Sequence, residues 1–155
     1  MPSLADVDLT DLVERWLHTK LAAGFSGASA PLDGIAADPN HRITKEPVGD
    51  RALPVVKFSY QSDNVIRGVG VGAYYWTRYL YAVRGVTKGS ATGTPGQISA
   101  RIYSSIAETV NDETVTGLVV LASTFFSHFR LEHDEGNERF IELGGIYQLD
   151  AQTKE

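Results

Sequence analysis

One stretch limits what the rest of the chain can build: Tyr74-Tyr75-Trp76-Thr77-Arg78-Tyr79-Leu80-Tyr81-Ala82-Val83. Aromatic and β-branched side chains lose rotamer freedom on a helix and pack well on a pleated surface, so a long strand is expected over about 74–86. Strand alternation sends Tyr74 and Trp76 to one side and Tyr75, Tyr79 and Tyr81 to the other. A sheet with helices on one face buries only one of those sets. Tyr, Trp and Arg are also the types enriched at contact hot spots. Tyr74, Tyr75, Trp76, Arg78, Tyr79, Tyr81 and Arg84 are therefore the candidate contact surface. The alternative is an aromatic ladder that stabilises its own sheet through cross-strand pairs.

Around this strand the patterning is mixed. Leu9, Leu12, Val13, Trp16, Leu17 and Leu21 repeat at helical spacing, which predicts a helix over about 8–22, with Asp8 as its cap and Lys20 and Gly24 at its end. Residues 25–53 hold Gly27, Gly34, Gly49, Pro31, Pro39 and Pro47 and no periodicity. They read as a long flexible loop, either mobile or an arm ordered against something else. Val55-Val56-Lys57-Phe58-Ser59-Tyr60 reads as a strand ended by Gln61, Ser62, Asp63 and Asn64. Thr94-Pro95-Gly96-Gln97 is a helix-start signal, and Ile98, Ile102, Ile106 and Val110 carry the apolar stripe of a helix ending near Asn111. Residues 117–131 are long enough for one bent strand or two short ones. A charged turn over 132–137 then leads into 140–151, where Ile141, Leu143, Tyr147 and Leu149 oppose Glu142, Gln148 and Asp150, as in a hairpin with one wet face. The fold class is α+β: an antiparallel β-sheet with two helices packed on one face and a closing C-terminal β-hairpin.

The 155 residues fit one domain, 1–155. Lys+Arg 14 against Asp+Glu 19 leaves a net charge of −5, which disfavours tight phosphate or anionic-membrane binding. With no cysteine there is no disulfide scaffold, thiolate zinc site or cysteine nucleophile, as fits a reducing cytosol. The start has no basic flank before an apolar run, and no segment reaches the ~18 apolar residues of a membrane span.

Motifs for chemistry are weak. Gly68, Gly70 and Gly72 resemble part of a dinucleotide loop, but a strand follows where that motif needs a helix. Lys88-Gly89-Ser90 lacks the upstream glycine of a phosphate loop, because position 84 is Arg84. His128 and His133, near Glu132, Asp134 and Glu135, have metal-ligand types, yet their separation places them on opposite faces of a strand. His18 suits a helix end, and His41 lies in the loop. No serine elbow is present, so no catalytic, cofactor or metal residue is assigned.

The order of segments resembles the tail terminator proteins of long, non-contractile-tailed bacteriophages. The likeness rests on the opening helix, on 55–60 followed by Gln61-Ser62-Asp63, and on Val65-Ile66-Arg67-Gly68-Val69-Gly70. It continues through Tyr79-Leu80-Tyr81-Ala82-Val83-Arg84-Gly85 and the helix from Gln97 to Val110, and ends with Arg139-Phe140-Ile141-Glu142-Leu143-Gly144-Gly145-Ile146-Tyr147-Gln148-Leu149. The resemblance implies a non-enzymatic virion protein without a cofactor, sited at the head–tail junction and assembled in the host bacterial cytoplasm. It implies a homo-oligomer, a hexameric ring, with the tail tube protein and a neck or head-completion protein as partners. DNA would pass through the channel without sequence-specific binding, as an acidic balance suits. The aromatic stretch over 74–76 and the long loop after the first helix depart from the family pattern. Two other readings stand beside it: a head-completion or stopper ring protein, and a small-ligand-binding α+β enzyme or module using a concave aromatic face as its pocket.

Overall fold

The computed structural model of the chain describes residues 8–45, 47–49, 51–67, 75–89 and 94–154, without the side chains of Arg67 and Tyr75. Among these residues the order is α1 (Thr10–Phe25), α2 (Asp33–Ala37), α3 (Pro39–Arg42), β1 (Ile43–Thr44), β2 (Val55–Arg67), β3 (Tyr75–Lys88), α4 (Thr94–Ile106), β4 (Thr109–Asp112), β5 (Leu118–Glu135) and β6 (Glu138–Thr153). The strands form one curled six-stranded sheet in the order β1-β2-β3-β6-β5-β4. β1 runs parallel to β2, and every other neighbouring pair is antiparallel. The fold is α+β, and β5 and β6 form the C-terminal hairpin. No described helix is long and apolar enough to cross a membrane.

One face of the sheet carries α1 and α4. Val13, Trp16, Leu17, Leu21 and Phe25 of α1 and Ile98, Ile102 and Ile106 of α4 are buried against Phe58, Tyr79, Tyr81, Val83, Tyr147 and Leu149. Each fully buried side chain of this size contributes about 1.5–3 kcal/mol by leaving water. Gly85 lets α4 sit directly on β3, because a Cβ there would collide with Ile98. Trp16 Nε1 donates to Asp112 Oδ1 at 2.8 Å and Lys20 Nζ to Asp112 Oδ2 at 2.9 Å, which ties α1 to β4.

Several expected boundaries move. The first helix starts at Thr10 and runs on to Phe25 through Gly24, where a Cβ would strike Ser105 of α4. Asp8 accepts from Thr10 Oγ1 at 2.8 Å, but Leu9 is the capping residue, without a side-chain cap bond. The stretch expected as one featureless loop or arm, 25–53, instead holds α2, α3 and β1, and it buries Ala28, Leu32, Ile35 and Ile43 in the main core. Four widely spaced apolar anchors suffice there, and elements this short show no period. α4 stops at Ile106 rather than near Asn111, since β4 pairs with β5 and leaves Val110 exposed. Positive φ values of 57° at Glu108 and 50° at Asn111 accompany that change of course. β2 continues through 61–64 to Arg67, and β5 is one strand with register shifts at Val120/Ala122 and Phe125/Ser127. The charged residues expected in a turn over 132–137 mostly extend the strands, and only Gly136 and Asn137 make the turn. The glycine run 68–72 and residues 90–93 lie outside the described residues.

Candidate interaction surface

The strand chosen from sequence as the contact surface occupies the middle of the sheet, between β2 and β6. Two of its rings are core residues: Tyr79 and Tyr81 are both 0% exposed on the helix-bearing side. Tyr79 Oη accepts from the Leu9 backbone N–H at 2.8 Å, which fixes the chain where it enters α1. Tyr81 Oη donates to Glu14 Oε2 at 3.2 Å, and its ring packs edge-on to Phe58 and Tyr60. Burial pushes both phenols above their usual range, and the Glu14 charge adds to the effect on Tyr81. As contact residues these two are corrected to framework, because the helices cover the parity they share. Tyr74 lies outside the described residues, and Tyr75 opens β3.

Trp76, Arg78, Leu80, Ala82 and Arg84 project to the opposite face. Trp76 and Arg78 are half-buried. Arg78 donates from Nε and Nη2 to the two carboxylate oxygens of its cross-strand neighbour Asp150, at 2.9 and 3.3 Å. Arg84, expected as an exposed anchor, is only 7% exposed. Its Nε donates to Glu142 Oε1 at 3.0 Å and its Nη1 to Ser59 Oγ at 2.6 Å, while its guanidinium lies 4.9 Å from the centre of the Phe129 ring. His133 Nε2 is 3.2 Å from the second oxygen of Glu142, so both carboxylate oxygens are engaged. The group spans β2, β3, β5 and β6 and holds four strands in register.

Beside it an open cleft of about 990 Å³ lies at one end of the sheet, lined by Arg51, Pro54, Lys57, Lys88, His133 and Glu142 among others. Its polar groups largely engage one another: Arg51 donates to the backbone carbonyls of His41 and Pro47, Lys88 pairs with Glu138, and His133 with Glu142. His128 stands on the other side of β5 against Phe125, as the alternation requires. Among the described residues, no group of three or more His, Asp and Glu side chains is placed to hold a metal ion.

Sequence reasoning missed the exposed apolar side chains on the outer strands: Tyr60 and Val65 on β2, and Phe126 and Leu131 on β5. A signal for them existed in the apolar pair Val65-Ile66 after a polar run, which is more than a turn needs.

No protein-family model matches the chain, and no curated protein matches it in sequence. The fold has a solved counterpart. A chain of the structure described as the virion of a native gene transfer agent particle aligns with a TM-score of 0.62 at 12% sequence identity, covering 94% of this chain and 98% of that one. At that identity the likeness shows a shared fold.

Proposed function

We propose that this chain is a structural protein of a phage-like virion: a tail terminator whose copies close a ring on the end of the tail tube and join it to the neck. The observation that carries this reading is the end-to-end match of fold, over 94% of this chain and 98% of the other, to a component of a gene transfer agent virion. The segment order that resembles tail terminators supports the finer assignment. In this role the protein acts by stoichiometric binding. A net charge of −5 suits a channel wall along which DNA slides instead of sticking. Trp76 and Arg78, half-buried on the face away from α1 and α4, are the contact residues retained from the sequence reading.

Incubating the purified protein with isolated tail tubes and imaging the tube ends tests this. The expected image shows an annular cap on one end of each tube. A monomer that ignores tubes and binds a small molecule saturably would overturn the proposal, and, in a parallel incubation with isolated heads, attachment to the heads alone would favour a head-completion or stopper protein.

A further inference from the structure

Among the described residues, the sheet ends in two strand edges that remain open over most of their length. β1 pairs only with Val56 and Lys57, leaving 58–67 of β2 with no described neighbour on its outer side. β4 pairs with β5 only at Val120, Ala122 and Ser123, leaving 124–135 in the same condition. An open edge presents unpaired backbone donors and acceptors to any strand that reaches it, and proteins that avoid such pairing place charged side chains, Pro or bulges there. Neither stretch contains a lysine or a proline, and the charges present are Asp63 and Arg67 on β2 and Arg130, Glu132, Asp134 and Glu135 on β5, of which Arg130 and Glu132 engage each other. These two stretches also carry Tyr60 (46% exposed), Val65 (45%), Phe126 (61%) and Leu131 (46%), four of the six exposed large hydrophobic side chains among the described residues.

The strand directions fit a particular partner. β2, β3, β6 and β5 alternate in sense, so β2 and β5 run opposite ways. Two copies in the same orientation therefore bring β5 of one against β2 of the next as an antiparallel pair. Because the edges stand at opposite ends of one sheet, the contact is head-to-tail, the kind that closes rings.

We infer that 124–135 of one copy adds as a strand to 58–67 of a second copy of this chain, so that the sheets join edge to edge around the ring; this rests on the ring reading above. Phe58 and His128 stand level across the sheet through Val83 and Gly145, and the free stretches run from there toward opposite ends. Neighbouring copies are consequently staggered along the strands, as closure of a sheet requires. Register shifts at Tyr60/Ser62 and Phe125/Ser127 confine the regular ladder to 62–67 and 127–135.

The absence of cysteine allows a clean test. Ser62→Cys or Asn64→Cys is combined with Ser127→Cys or Leu131→Cys, all on one face of the sheet, and the protein assembled with or without tail tubes is mildly oxidised. Antiparallel partners lie close enough for a disulfide. At least one double variant should give a covalent ladder ending in a closed ring, while single variants stay uncrosslinked. Val65→Lys with Leu131→Lys should leave the monomer's melting temperature within a few degrees and reduce assembly at least tenfold. Dimers from single-cysteine variants, or rings in which no double variant crosslinks, would overturn the edge pairing and leave the ring reading standing. No oligomer under any condition, with or without tubes, would overturn both.

Discussion

Arg84 and Glu142, 58 positions apart in sequence, form an ion pair of 3.0 Å on the sheet face opposite α1 and α4, with side chains 9% and 10% exposed. A charge pair this dry is costly to split, because the remaining partner keeps its desolvation penalty without the attraction that offset it. Glu142→Ala should therefore lower unfolding stability by about 3 kcal/mol, read as a shift in the urea midpoint. Replacing both residues by apolar ones should cost much less than the sum of the single changes.

Tyr81 is a core residue whose ring meets Phe58, Tyr60 and Tyr79. Tyr81→Ala should destabilise by about 4 kcal/mol, the range of large-to-small aromatic changes in a core. Tyr79→Phe removes the hydroxyl that receives the Leu9 N–H and should cost about 1 kcal/mol. Thermal denaturation of the two variants checks both values, and Val65→Ala on the exposed edge should stay within about 0.5 kcal/mol of the parent.

Asp112 joins α1 to β4. Burial alone would raise its carboxyl, but bonds from Thr114, Trp16 and Lys20 hold it well below the usual carboxylate range. A folded pKa below the unfolded one means a contribution fully present above about pH 4, where the unfolded carboxyl ionises, and lost as the pH falls through the folded value. Asp112→Asn should cost about 2 kcal/mol at pH 7. The gap between variant and parent urea midpoints should narrow by pH 3.

Gly144 of β6 stands opposite Arg84 of β3. A Cβ there would collide with the Val83 carbonyl oxygen and the Arg84 backbone. Backbone cannot rotate aside as a side-chain tip can, so Gly144→Ala should destabilise by about 2–3 kcal/mol. Faster hydrogen exchange of the β3–β6 amides, a reduced or lost protection, would report the same displacement.

The sequence carried those features whose signal is local and periodic. The stripe Ile98, Ile102, Ile106 and the alternation Tyr147, Gln148, Leu149, Asp150 each follow from one element meeting one core, and both are present as expected. Val110 continued the helical stripe on paper, yet it belongs to a short strand whose existence depends on β5 lying beside it. Glu142 read as a wet-face residue and Arg84 as a contact residue because alternation reports only which side of a strand a residue occupies, whereas their burial comes from Phe129, Ser59 and His133 on other strands. For the same reason, Tyr79 and Tyr81 could be assigned to one face by parity but not to the covered one. The position of β3 in the middle of the sheet, which moves the open surface outward to β2 and β5, is set by strand order alone.

Native mass spectrometry of the protein, alone and after release from tail tubes, tests the central claim most directly. The chain mass is 16.9 kDa, and the expected result is a closed species of six chain masses, formed freely or only on the tube. A protein that remains at one chain mass in both conditions, or that grows into open-ended polymers of no fixed size, would contradict a ring.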